Sequence, residues 1–367
     1  MARGEKAALT PESYYSAQWF EREQESVFRR NWLYGGTLSE LSADNSWVNK
    51  TYGSRSWIIT RSAEKLNCYR NVCSHRHSRI VSAGKGCGPL RCGYHGWTYG
   101  SDGIPTGLPG QRDNFDLTEG ERAALRLPQG EAMAIGNFVF FRDMASSCSA
   151  KRDICDAAKS LLQNLSLTFT TPFESFSQTW RANWKAGVEN TLEPYHAGFV
   201  HAESLAQVLD TTVSEKTLTA TFSALRHKLK ARSNAWWQQM TSLTGITPSR
   251  DLDDYQHFFI YPNICIGVTF GCLLSIQTFV PISSEVLTID SFLFLPSIAP
   301  EDAEKSIYRT MKDFLIEYNR KLLDEDRIPV ESSQSGFRDA VGHAILGESE
   351  DRIGYFQRSI LDDMSAT

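Results

Sequence analysis

The apolar and polar positions of this chain change period along its length. Over residues 15–33, YSAQWFEREQESVFRRNWL mixes aromatic and charged residues at roughly helical spacing, which predicts an amphipathic opening helix. From about residue 46 to 141, short runs such as WVNKTYG, SWIITRS and NFVFFRD alternate with glycine-containing turns, the texture of a small all-β domain. A helical segment over 151–165 follows, and FESFSQTWRANW reads as a strand leading into a helix that starts near Trp184. LTATFSALRHKLKA, HFFIYPNICIGVTF, LLSIQTFVPI and VLTIDSFLFLPS then predict an extended antiparallel sheet, closed off by a helix over 300–323. Helices laid on one face of an antiparallel sheet make an α+β second domain.

At 367 residues the chain exceeds the usual size of one hydrophobic core, so two domains are expected. The boundaries read as an N-terminal helical segment over 1–37 packing on the second domain, an all-β domain over 38–147, and the α+β domain over 148–367. A formal charge of −5 leaves no basic excess to neutralise a phosphate backbone, which argues against nucleic acid as partner. The most apolar window, 263–282, is interrupted by Asn263, Thr269, Ser275, Gln277 and Thr278, so buried strands explain it better than a membrane helix. MARGEKAALT has charges without an apolar stretch behind them, and a cytoplasmic protein is expected. A chain of this size does not need its eight cysteines as disulfides. Cys73 and Cys92 are candidate metal ligands, whereas Cys68, Cys87, Cys148, Cys155, Cys265 and Cys272 read as small packing residues.

NVCSHRHSRI and RCGYHGWTY contain Cys73-x-His75, a gap of sixteen residues, and Cys92-x-x-His95. Zinc sites more often group like ligands, as Cys-x-x-Cys with His-x-x-x-His. Here each loop carries one of each, which suits a 2Fe-2S cluster whose irons differ, one held by two thiolates and the other by two imidazoles. Neutral imidazoles lower the negative charge at one iron and raise the potential to roughly −150 to +300 mV, against about −400 mV for all-cysteine ferredoxins. His77 and Cys87 fall off the ligand spacing and read as a loop hydrogen-bonding residue and a packing residue. These residues, CGYHGWTY above all, resemble the Rieske domain of ring-hydroxylating and related oxygenases. Rieske proteins of respiratory complexes carry two further cysteines in a disulfide, and Ser78 and Tyr94 stand at the matching positions here.

NWKAGVENTLEPYHAGFVH contains Glu193-x-x-His196-x-x-x-x-His201. Read alone, it could be an ordinary helix with solvent-facing Glu and His. Glu193 and His196 share a helical face, but His196 and His201 lie about 140° apart on a regular helix. Pro194 and Gly198 therefore predict a π-type widening or a break between the two histidines. The segment resembles the iron-binding helix of the same oxygenase family, in which two histidines and a distant carboxylate hold Fe(II) on one face and leave the other open to dioxygen. That resemblance puts the carboxylate in LLDEDRIPVESSQSGF, after the last long helix, at Asp326, with Asp324 and Glu325 as close competitors. It also implies that Glu193 bridges a cluster histidine of one subunit to His196 of its neighbour, across a head-to-tail homotrimer. Glu rather than Asp at this position resembles the members that act on quaternary ammonium compounds.

The family likeness implies a helix-grip, START-like catalytic domain and a terminal oxygenase with a 2Fe-2S cluster, mononuclear Fe(II) and O2 as co-substrate. Gly84, Gly86 and Gly88 sit between the cluster loops rather than at a strand-to-helix turn, so the chain lacks a dinucleotide fingerprint. Electrons from NAD(P)H are then expected through a separate reductase, with or without an intervening ferredoxin. The expected reaction is hydroxylation or dihydroxylation of an aromatic ring in a small organic substrate, with monooxygenation or N-dealkylation of a quaternary ammonium compound as the alternative. Trp236, Trp237, Phe258, Phe259 and Phe270 are candidate pocket residues, the two tryptophans as walls of a cation cage. Outside the oxygenases, a Rieske electron carrier or a zinc-stabilised ligand-binding protein also fits parts of the pattern.

Overall fold

A computed structural model describes residues 4–82, 84–144, 152–249 and 251–365, leaving aside the side chains of 211–214. The chain divides into two compact units, residues 28–153 and residues 1–27 with 154–367.

In the smaller unit, strands β1 (Leu33–Thr37), β2 (Ser46–Tyr52), β3 (Arg55–Ser62), β4 (Lys65–Arg70), β5 (Lys85–Cys87), β6 (Leu90–Arg91), β7 (Thr98–Tyr99), β8 (Pro105–Gly107), β9 (Gln129–Ile135) and β10 (Phe138–Asp143) follow one another. They form a seven-stranded sheet in the order β1-β10-β9-β4-β3-β2-β5 and a three-stranded sheet β6-β7-β8. Leu33–Thr37, assigned by the sequence pattern to the helical segment, pairs with β10 instead, so the smaller unit begins at residue 28. The opening helix is correspondingly short. Helix α1 (Ala17–Glu23) is followed by a π-turn over Gln24–Phe28. The expected boundary at 147/148 and Cys148 lie outside the described residues.

The larger unit is built on a second antiparallel sheet. Its strands are β11 (Pro172–Trp180), β12 (Leu209–Leu218), β13 (Phe222–Leu229), β14 (Tyr255–Ile260), β15 (Ile264–Thr269), β16 (Leu273–Ser283) and β17 (Val286–Phe294), in the order β11-β17-β16-β15-β14-β13-β12. The apolar window over 263–282 is thus β15 and most of β16. Helices α2 (Asp156–Thr168), α3 (Trp184–Leu192), α4 (Ala197–Val200), α5 (Ala231–Thr244), α6 (Ser306–Gly336) and α7 (Asp351–Ser365) accompany the sheet. The α+β class is as expected.

Three packing features position the site. Gly187 lets α3 approach the sheet, since a Cβ there would meet Phe279 Cδ1 at 2.9 Å and Leu287 Cδ1 at 3.1 Å. Helix α6 runs thirteen residues past its expected end at 323. Its buried stripe of Tyr308, Met311, Leu315, Asn319, Leu323, Asp326, Val330 and Gln334 keeps helical spacing through Pro329, and that continuous burial outweighs the one backbone hydrogen bond the proline cannot make. A buried polar network ties the N-terminus to α3 and α7. Lys185 Nζ donates to Glu23 Oε1 at 2.7 Å and to Ser13 O at 2.9 Å. Glu189 Oε1 accepts from Tyr14 Oη at 2.6 Å and from Gln357 Nε2 at 2.9 Å.

Candidate metal centres

Two loops of the smaller unit carry the first motif, one after β4 and one between β6 and β7, and they fold alike. Cys73 N donates to Ser78 O at 2.8 Å and His77 N to Cys73 O at 2.9 Å. Likewise Cys92 N donates to Trp97 O at 2.8 Å and Gly96 N to Cys92 O at 3.0 Å. The fifth residue of each turn has positive φ, 59° at His77 and 74° at Gly96. His77 therefore serves the turn itself, through its backbone.

The turns bring four donors of two kinds together. Cys73 and Cys92 are buried in a core with Leu90, Trp97 and Tyr99. The rings of His75 and His95 approach to 4.5 Å, and His75 stacks on Trp97 at 4.8 Å with 6° between planes. His75 Nδ1 is buried without a hydrogen-bond partner. Burial raises the Cys73 thiol pKa, Tyr99 and the His75 backbone oppose the rise, and adjoining Cys92 adds to it. A cluster taking two thiolates and two imidazoles fits this set and would occupy the unpaired nitrogen. Tyr99, which the spacing did not single out, places Oη 3.0 Å from Cys73 Sγ while accepting from Ser74 N at 2.9 Å. Cys87 departs from its expected packing role. It is exposed on the short edge strand β5, where no second layer covers it, with Sγ 3.5 Å from Asp44 O.

In the larger unit the residue before Pro194 is driven to extended backbone, and Glu193 has φ −129° and ψ 145°. That stops α3 at Leu192. His196 and His201 then flank the single turn α4 as its caps. The break expected between them lies before His196 instead. The intervening turn is regular, with Val200 N on His196 O at 2.9 Å and His201 N on Ala197 O at 3.2 Å. His201 leaves helical dihedrals at the cap, φ −108° and ψ 29°, which relaxes the angular separation a continuous helix would impose.

The third group comes from inside α6 rather than from a loop. Asp326 Oδ1 lies 2.9 Å from His201 Nε2 and 3.5 Å from His196 Nε2, and one donor atom from each of the three residues falls within 4.8 Å of the others. The buried Oδ1 makes no hydrogen bond, as a carboxylate would whose lone pairs aim at a shared centre. Each histidine is held from behind. His196 Nδ1 donates to Glu193 Oε1, and His201 Nδ1 donates at 2.7 Å to Glu325 Oε2, which also accepts from Ser204 Oγ. Carboxylates on Nδ1 leave both Nε2 atoms for a metal. Burial disfavours charge on His196, but Asp326 and Glu193 outweigh it and raise its pKa to about 9. Burial works against Asp326 as well, yet the two histidines hold it down at about 2. Two imidazoles and one carboxylate on one side of a cavity fit a non-haem Fe(II) centre. Asp324 faces elsewhere, 3.3 Å from Arg327 Nη2 and 3.5 Å from Gln178 Nε2.

A cavity of about 840 Å³ opens on this group. Its walls include Asn190, Trp236, Trp237, Phe314 and Tyr318, and its floor is one face of β13 to β16. Of the aromatic candidates, Trp236 and Trp237 line it. Phe270 stacks behind Trp237, while Phe258 packs on Phe222 and Phe259 on Phe356.

Comparison with known proteins matches residues 31–129 to the Rieske [2Fe-2S] domain and residues 168–366 to the ring hydroxylating alpha subunit (catalytic domain). A Rieske domain followed by this catalytic domain is the build of a Rieske non-haem iron oxygenase. The chain belongs to the ring-hydroxylating alpha-subunit family, and the carrier and zinc-binder alternatives fall with that match. It is 29% identical over 191 residues to the carnitine monooxygenase oxygenase subunit of Acinetobacter pittii, covering 51% of each chain. It is 27% identical over 231 residues to the glycine betaine monooxygenase oxygenase subunit of Pseudomonas aeruginosa, 62% of this chain and 52% of that one. The chain spans about half the length of the curated relatives it matches. A solved quaternary ammonium Rieske monooxygenase in complex with L-carnitine shares the fold, with a TM-score of 0.78 at 20% identity over 100% of this chain and 97% of that one.

Proposed function

We propose that this protein is a terminal oxygenase, which uses O2 and electrons from an NAD(P)H-linked reductase, directly or through a ferredoxin, to hydroxylate a small organic substrate. One observation carries the reading: His196, His201 and Asp326 converge from one side on a point at the wall of a large, mostly apolar cavity. In this reading Cys73, His75, Cys92 and His95 hold the cluster, and the other three hold the iron. When bound, the cluster supplies single electrons and the Fe(II) activates dioxygen. The chain's own residues position the substrate in the cavity, exclude bulk water, and fix both iron-facing imidazoles through Glu193 and Glu325.

Glu193, already bound to His196, is the bridge to a cluster histidine of a neighbouring subunit in a homotrimer. Exposed Tyr195 and Phe199 beside it, Ile328 two residues beyond Asp326, and Tyr94 next to His95 are the kind of apolar surface a subunit contact covers. Aromatic-ring hydroxylation suits the cavity's apolar lining. Attack on a quaternary ammonium compound is the second reading, supported by Trp236 and Trp237, whose rings stand 4.9 Å apart at 83° on the cavity wall. All seven described cysteines are unpaired and no described helix is long and apolar enough to cross a membrane, in keeping with the cytoplasm. The test is iron content with oxygen uptake. Three irons per chain and substrate-dependent uptake with a surrogate reductase are expected over a panel of aromatic acids, hydrocarbons and betaines; two irons, or a colourless protein, would end the proposal.

A further inference from the structure

Helix α3 ends without the means to satisfy its own last carbonyl. A helix leaves its final four carbonyls without intrahelical donors, and the usual remedy is a backbone N–H that folds back from just past the end. Here Glu193 is extended, Pro194 has no N–H, and the next two amides, of Tyr195 and His196, donate to the Glu193 carboxylate. Leu192 O is met instead from another helix, by Arg352 Nη1 at 3.4 Å.

Arg352 stands where its own helix does not favour it. It is the second residue of α7, at the positive end of that helix's dipole, and is 2% exposed. Burial lowers its pKa to about 10, so it stays charged at neutral pH. Nε donates to Ser223 Oγ at 2.9 Å and Nη2 to His257 Nδ1 at 3.1 Å. A guanidinium is a rigid planar fork, so fixing Nε from β13 and Nη2 from β14 fixes where Nη1 points. The contact with Leu192 O is long for a hydrogen bond, and what Arg352 brings to α3 is chiefly a positive charge at the negative end of that helix's dipole.

One peptide beyond Leu192 lies the group that holds a metal-facing ring. The Glu193 carboxylate accepts from His196 Nδ1 as well as from the two backbone amides, which makes residues 193–196 one tied turn anchored upstream at the end of α3. Helix α7 grips α3 at a second point one turn earlier, where Gln357 Nε2 donates to Glu189 Oε1 at 2.9 Å. Arg352 and Ser223 themselves lie outside the cavity lining. Any influence they have on the metal group therefore passes through α3.

We infer that Arg352 is a positioning residue for the iron site, capping α3 from α7 so that Glu193 and the His196 ring it holds stand at a fixed place. The inference rests on His196 being an iron ligand, and its test reads Fe(II) binding rather than turnover. Fe(II) affinity is measured without oxygen in Arg352→Met, which keeps the bulk of the side chain and removes its donors, with cluster absorption and melting temperature followed beside it. Affinity should fall about tenfold, the lower end of what losing a support behind a metal ligand costs. In a Glu193→Ala background the same change should cost less than about twofold more, because the group it places is gone, whereas in Glu325→Gln, which weakens the His201 side, it should cost its full effect of about tenfold. Ser223→Ala frees Nε and leaves the cation; it should repeat the pattern at about threefold, the lower end of one hydrogen bond's net worth, and carries the test if the methionine variant does not fold. Wild-type affinity in every folded variant, or an equal loss in the Glu193 and Glu325 backgrounds, overturns the inference. A wild-type protein that takes up no mononuclear Fe(II) would count instead against the oxygenase reading.

Discussion

Glu325 Oε2 accepts a hydrogen bond from His201 Nδ1 at 2.7 Å, one residue away in sequence from the carboxylate that faces the same imidazole's Nε2. Adjacent residues of α6 thus grip one ring from opposite edges. Neighbours on a helix point about 100° apart, and His201, standing at the end of α4, lies where both can reach it.

Glu325→Gln should therefore weaken iron binding without emptying the cluster. The amide can still accept from Ser204 or meet Nδ1, but it no longer offers a charge that fixes the ring and raises its basicity. Loss of such a support typically costs 10–100-fold in metal affinity or activity. Titration with Fe(II) after chelation, read beside the visible absorption of the cluster, checks it. Unaltered affinity would leave Glu325 a surface residue.

Asp326→Ala should lose the mononuclear iron altogether and keep the cluster spectrum, because two histidines alone do not complete the set. Asp324→Ala should do neither, since its carboxylate contacts Arg327 and Gln178. Iron analysis of the two variants in parallel decides between the positions. One iron lost in the Asp324 variant would mean that the wrong acid has been assigned.

The cluster motif was legible because two short loops of fixed spacing carry all four candidate ligands. The iron group was half legible. His196 and His201 announce themselves five residues apart, but the backbone device between them was misplaced, since the extended residue before Pro194 ends α3 upstream of both. Asp326 was singled out by likeness while its helix was not, because Pro329 reads as a helix end unless the burial of Val330 and Gln334 beyond it is known. Nothing in a linear pattern marks Tyr99, and Glu325 was marked only as a rival to Asp326, not as the group behind His201. Their roles come from what tertiary packing sets beside them.

Glu193→Gln should weaken Fe(II) binding at His196 as Glu325→Gln does at His201 and, with the iron restored by saturating Fe(II), should still lower turnover roughly 10–100-fold. Gln can still accept from the backbone amides of Tyr195 and His196, as Glu193 does, so the turn should hold. The distinguishing measurement is reoxidation of the reduced cluster by O2 in the presence of substrate. With iron saturated, a role confined to holding His196 leaves this step at the wild-type rate, whereas a bridging role slows it. Wild-type turnover excludes the bridge.

Glu189 gives the larger unit a stability that falls as pH rises. Burial lifts its pKa from 4.5 to about 7, against the pull of Tyr14, Gln357 and Lys185. Between those values the folded protein keeps the proton that the unfolded chain has already released. The unfolded state therefore binds fewer protons, and stability declines with pH across that window before levelling off above 7. At about 1.36 kcal/mol per unit, the full effect is on the order of 3 kcal/mol. Glu189→Gln keeps an oxygen to accept from Tyr14 and Gln357 but has nothing to titrate. Urea unfolding from pH 4.5 to 8 should give a difference, variant minus wild type, that grows in favour of the variant up to about pH 7 and then stays constant. A flat difference over the whole range would mean that Glu189 is ionised throughout and that Lys185 satisfies both Glu23 and Glu189 as a charged triad.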